Sequence, residues 1–123
     1  MSDGPDKVIA DFKAAVNMTA RQLGAWLEKE ESKEVGSKDG GKGESVGHHS
    51  GRRIVEILGK KPADYDEDDL RHMAKVTGYV HRHLAQEPDG DIEETPWRYS
   101  LMNWGHDPLK GSKKATRPDQ RRR

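Results

Sequence analysis

Apolar positions along this chain recur at spacings of three and four, the period of a helix packed on one face. The longest such run is 66–86, DEDDLRHMAKVTGYVHRHLAQ. Leu70, Met73, Thr77, Val80 and Leu84 mark its inner face, and Val76 widens the stripe. Residues 66–69 are all acidic and stand at the end where the helix dipole favours negative charge. Asp66 or Asp64 is the expected cap, and Pro88 cannot continue the helix.

Shorter runs flank this one. Val8, Ile9, Phe12, Ala15 and Val16 predict a helix over 5–16, with Pro5 in its first turn and Asp3 as a cap. Thr19 and Gln22 have the spacing of a capping box, and Met18 and Leu23 that of a hydrophobic staple. They open a second helix over about 20–31 that buries Leu23, Trp26 and Leu27, and its tight junction with the first predicts an angled hairpin. Residues 32–50 are rich in glycine and poor in apolar side chains, which reads as a flexible loop. A helix is expected from Gly51, capped by Ser50, with Ile54, Ile57 and Leu58 inward and Gly59 at its end. After the acidic connector PDGDIEE, Thr95 and Pro96 predict a short helix to Trp104, stopped by Gly105 in a left-handed cap. Residues 1–4 and 110–123 show no period and are expected to be disordered.

Composition adds a constraint. Leu, Ile, Val and Phe together number 19 in 123 residues, so the core is small, and one domain over 5–109 is the default. The formal net charge is zero, but residues 110–123 hold seven basic groups against one acidic. A basic tail of this kind suits an acidic partner such as nucleic acid, and it equally suits a solubilising end. With no cysteine there is no disulfide or thiolate metal site, and no apolar run reaches membrane length. A soluble, cytoplasmic protein without membrane contact is expected.

Little in the chain points to catalysis. Gly36, Gly41 and Lys42 follow the phosphate-loop spacing, but Gly43 stands where a metal-binding hydroxyl is required, and no strand precedes the loop. The six histidines contain no His-Glu-x-x-His pair, and His81 and His83 point to different helix faces. No nucleophile elbow or calcium-loop spacing occurs. We therefore expect no enzyme, no metal and no cofactor. The basic residues say more. Arg71, Lys75 and Arg82 fall within about 40° on the outer face of the long helix. Arg52 and Arg53 begin the preceding helix, and Lys60 and Lys61 follow it. Side by side, these groups would form one stripe for phosphate contact without base reading, or simply a solvated face.

The segments NMTARQLGAWL (17–27), GRRIVEIL (51–58), DDLRHMAKVTGYVHRH (68–83) and WRYSLMNWGHDPLK (97–110) resemble a bacterial family of uncharacterised proteins, domain of unknown function 3140. Some of its members carry a DNA-binding label, so the resemblance implies a lean towards nucleic acid. More loosely, Leu23 to Leu27, the glycine loop, and Gly51 to Leu58 are similar in order to SAP-type DNA-binding modules, an analogy of fold.

The sequence thus predicts an all-α, small orthogonal domain of about five helices around one long central helix. Its expected function is non-enzymatic nucleic-acid binding, with DNA favoured, through Arg52, Arg53, Lys60, Lys61, Arg71, Lys75, Arg82 and, in the tail, Lys113, Lys114, Arg117, Arg121, Arg122 and Arg123. The alternative is a protein-interaction module that uses the aromatic segment 97–104.

Overall fold

A computed structural model describes residues 4–35 and 44–110. Within them the fold is all-α: α1 Pro5–Ala15, α2 Ala20–Leu27, α3 Glu30–Glu34, α4 Val46–Leu58, a 3₁₀ turn Pro62–Asp64, α5 Glu67–Leu84 and α6 Pro96–Asn103. The phosphate-loop-like glycines and the residues beyond Lys110 lie outside the described residues.

Local chemistry sets several helix starts as expected. Thr19 and Gln22 form both arms of the capping box at α2, each at 3.0 Å. Asp66 caps α5, accepting from Asp69 N at 2.8 Å, while the Asp69 carboxylate accepts from Asp66 N at 3.0 Å. Thr95 accepts from Arg98 N at 3.1 Å and Pro96 opens α6. Gly105 takes φ +85°, and its carbonyl receives the N–H groups of Asn17 and Met18. The Asn17 side chain then clasps the backbone of Asp107 from both sides, donating at 3.0 Å and accepting at 2.8 Å.

Elsewhere packing overrides the local signal. α4 begins at Val46 with Ser45 as its cap, so Gly47, Ser50 and Gly51 lie within the helix and not before it. Residues 44–50, expected as loop, are therefore its cap and first turns. Close approach explains the glycines: a Cβ on Gly51 would stand 2.6 Å from the carbonyl oxygen of Asn103 and 2.7 Å from Leu27 Cδ2. α2 stops at Leu27, and Lys29 turns extended before α3. That break lets buried Ser32 donate to Asn103 Oδ1 at 2.5 Å, while Asn103 Nδ2 donates back to Ser32 O at 3.0 Å. Trp26 Nε1 donates to the same Asn103 oxygen at 2.8 Å, so one buried amide fastens α2, α3 and α6.

α1 packs along α5 and α2 against α4, so α1 and α2 do not form the expected hairpin pair. α6 touches α2, α3, α4 and α5, which makes this short helix the hub of the assembly. The core joins Phe12, Leu23, Trp26, Ile54, Ile57, Met73, Val76, Val80, Leu101 and Trp104. On α5 the stripe centres on Met73, Val76 and Val80, whereas Leu70 and Leu84 are half-buried at its edge.

Candidate functional site

Each basic side chain singled out by the sequence must first be asked what it already binds. Arg52 is taken: its Nε and Nη2 donate to the two oxygens of Glu44, both at 2.7 Å. The Arg52 hydrogen bond outweighs partial burial and, with His48, holds the Glu44 carboxyl at about 2, below its ordinary 4.5. His48 reaches Glu44 with one ring nitrogen and the Leu27 carbonyl with the other, at 2.8 Å, and so ties α4 to α2.

Arg53 and Lys60 are also taken, by one fully buried carboxylate. Lys60 Nζ donates to Asp69 Oδ2 at 2.7 Å. Arg53 Nη1 lies 2.7 Å from Oδ1 without aiming an N–H at it, an ion pair more than a hydrogen bond. Burial pushes the Asp69 carboxyl up, but the bonds from Lys60 and the Asp66 backbone and the charge of Arg53 prevail, leaving it at about 2. Arg71 is exposed and paired with Asp68 and Glu67. Lys61 is exposed. Lys113, Lys114, Arg117, Arg121, Arg122 and Arg123 lie outside the described residues. Arg52, Arg53 and Lys60 are thus spent on ion pairs between segments of the fold, and Arg71 on exposed pairs within its own helix.

Lys75 and Arg82 differ. Among the described residues neither meets a carboxylate, and both line a groove of about 360 Å³ between the start of α4, α5 and α6. The other walls are Val46, Gly47, Tyr79, Ser100, Asn103 and Trp104. The sequence singles out segment 97–104, which supplies Ser100, Asn103 and Trp104, as a protein-docking surface, but it does not point to Val46, Gly47 or to a groove shared with Lys75 and Arg82. Gly47 is hidden in the glycine-rich stretch, but the aromatic wall has a legible signal: His72, Tyr79 and His83 share one face of α5, and Trp97 on α6 stands seven residues before Trp104 at the helix's C-terminal cap.

Those five rings form one column. His72 stacks on Trp104 at 6.2 Å between centroids, Trp104 on Tyr79 at 4.3 Å, Tyr79 on His83 at 5.0 Å, and His83 on Trp97 at 6.0 Å. All are within 18° of parallel. Burial, helped by the charges of Arg53 and Lys75, lowers His72 to about 4, and burial also lowers His83, so both rings are neutral at pH 7. Trp104 and Tyr79 each have two ring neighbours in the column, and both also line the groove. Trp104 is 4% exposed, so the 97–104 segment closes the core, with Trp97 half-buried at the end of the column.

The indole edges are unequal. Trp26 donates to Asn103 and Trp97 to the His83 carbonyl at 2.7 Å. Trp104 has no acceptor among the described residues, and its Nε1 faces Gly47, where a Cβ would come within 3.1 Å of it. The groove therefore offers carbon walls, one open N–H and two cations that meet no carboxylate among the described residues. This set suits an anion carried on a small planar or apolar body.

Ser50 Oγ meets His72 Nε2 at 2.9 Å, the contact of a nucleophile and its base. The hydroxyl is 2% exposed, and the charges felt by the ring are cations, so the pair serves as a joint between α4 and α5. Among the described residues no three His, Asp or Glu side chains could share a metal ion, and no helix is long and apolar enough to cross a membrane.

Residues 11–102 match the model of a family described as protein of unknown function (DUF3140). No curated protein and no solved structure matches.

Proposed function

We propose that this chain, which belongs to the DUF3140 family, is a small non-enzymatic nucleic-acid-binding protein, with DNA the favoured form, that holds phosphates at the Lys75–Arg82 groove. The observation that carries this reading is the contrast among the basic side chains. Four of the seven candidates before the tail are bound to carboxylates, whereas Lys75 and Arg82 flank a cleft and face no acid among the described residues. A cation with no internal partner loses nothing when a phosphate arrives, but one in an ion pair must first give up its carboxylate. The basic tail adds non-specific attraction to the same ligand. α2 lying against α4 is compatible with the likeness to SAP-type modules, which carries no weight on its own. Docking of a protein through residues 97–104 is the weaker reading, because that segment spends its ring faces on the column.

The test is a salt titration of DNA binding by two double variants. Lys75→Gln with Arg82→Gln should lower affinity and make the slope of log affinity against log salt shallower by up to about 1.8 on duplex DNA. Arg52→Gln with Arg71→Gln, which removes the same charge from already paired sites, should change the slope far less. Equal effects of the two pairs, or no binding by the wild type at low salt, would overturn the proposal.

A further inference from the structure

The walls of the groove say more about its ligand than its charge does. Trp104 and Tyr79 each already have two near-parallel ring neighbours, with centroids at 4.3–6.2 Å, which leaves a base less open face to stack on. What remains are the open Trp104 N–H, the carbon rim of Tyr79, and Ser100. Two glycines keep the cleft clear. Gly47 leaves the Trp104 N–H reachable, and Gly78 lets the Arg82 guanidinium lie back along α5, where a Cβ would be 3.1 Å from Nη1. At about 360 Å³ the space matches the small end of ligand pockets, room for one planar unit with its phosphate.

Resting on the nucleic-acid reading, we infer that the groove seats one unpaired nucleotide of a single strand. The body enters between Val46 and the ring edges, an acceptor of the nucleotide takes the Trp104 N–H, and the phosphate lies between Lys75 and Arg82. Three features converge on this occupant. Trp104 is only 4% exposed, and its indole N–H meets no acceptor among the described residues, which leaves it available at the groove wall. The two cations stand seven residues apart on one face of α5, beside that donor. The α4 N-terminus, at Val46 and Gly47, contributes its positive dipole end at the same wall. A duplex keeps its bases inside and can touch only the rim, so a site built this way discriminates by strandedness and not by sequence.

The experiment compares a short single-stranded oligonucleotide with its duplex at one salt concentration, by fluorescence anisotropy on the full chain. Val46→Glu is the informative variant. Val46 is 45% exposed at the first position of α4, where a negative charge suits the helix, so folding is spared while a carboxylate is set at the groove mouth. Single-strand affinity should fall roughly tenfold or more, the scale of one charge-assisted hydrogen bond, while duplex binding, which has only its rim phosphates to lose, should fall clearly less. In a ¹H–¹⁵N spectrum the Trp104 indole signal should move on adding the single strand, while the signal of Trp26, held by Asn103, stays. Equal weakening of single-strand and duplex binding overturns the nucleotide seat yet leaves phosphate contact standing. An unmoved Trp104 signal under saturating strand does the same. A Trp104 shift produced by an acidic peptide but not by the strand would give the groove to a protein partner and overturn the occupant. Absence of any nucleic-acid binding would remove both proposals together.

Discussion

Asp69 and His72 sit one turn apart on α5, and both depart from their ordinary acid strength for reasons visible in their neighbours. Asp69 is held at about 2 against an ordinary 3.8 by Lys60, the Asp66 backbone and Arg53, despite burial. Its contribution is therefore complete above pH 4 and is lost as pH falls towards 2, where the unfolded chain has already bound the proton. Glu44, at about 2 against 4.5, acts in the same direction. His72 works earlier. Burial lowers it to about 4 from 6.5, so the unfolded chain takes up its proton first, and stability drains between pH 6.5 and 4. Urea midpoints measured at pH 7, 5 and 3 should fall in two stages. Asp69→Asn should cost about 1–3 kcal/mol at pH 7 and flatten the lower stage, the cost being limited because Lys60 and Arg53 still reach water. His72→Gln should flatten the upper stage in part, since His83 is lowered in the same sense. Unchanged pH curves for both variants would refute the assignment.

Among the helices, α4 is one that its own residues do not favour. Gly47 and Gly51 cost helix propensity, roughly 1 kcal/mol each against alanine. They persist because α4 lies directly on Asn103 and Trp104 of α6 and on Leu27 of α2. Gly51→Ala drives a methyl group into backbone and should destabilise the fold by about 1–3 kcal/mol, as overpacking does. Gly24, within α2, meets nothing within 4 Å of an added Cβ, so Gly24→Ala should stabilise by about 0.4–1 kcal/mol. The two substitutions are chemically identical, and opposite shifts in denaturation midpoint would isolate packing as the cause. α6 shows the converse: two turns long, it becomes the hub because Leu101, Asn103 and Trp104 are all buried against different partners.

Across the molecule, the balance of 22 basic and 22 acidic groups conceals a division of labour. The cations of α4 and the turn after it hold the fold, those on the α5 groove face outward, and six more lie beyond Lys110. The described chain closes before that tail, where His106 Nδ1 meets the Ala15 carbonyl at 2.8 Å and Arg98 grips Asp107 with two bonds of 3.0 Å. Ending the protein after Lys110 should therefore leave its melting temperature nearly unchanged. Its affinity for nucleic acid should fall with a shallower salt slope, by up to about 0.9 for each duplex phosphate that the tail had neutralised. A large drop in melting temperature would show that the tail belongs to the fold.

Local chemistry marks the part of this protein that could be read from the chain alone. The helical period, the caps at Thr19, Asp66 and Thr95, the left-handed Gly105 and the burial of Met73, Val76 and Val80 all depend on residues within a turn or two of each other. The basic positions were legible too, but not their fate. Whether an arginine meets a phosphate or a carboxylate depends on partners such as Glu44 and Asp69, which are eight and sixteen residues from Arg52 and Arg53. Gly47 reads as loop and Gly51 as a helix start because propensity counts the cost of a glycine inside a helix, and only the approach of Asn103, more than fifty residues on, supplies the gain. The groove needed tertiary structure most. It is the space left where three helices meet over a ring column, and a space has no residue of its own to announce it.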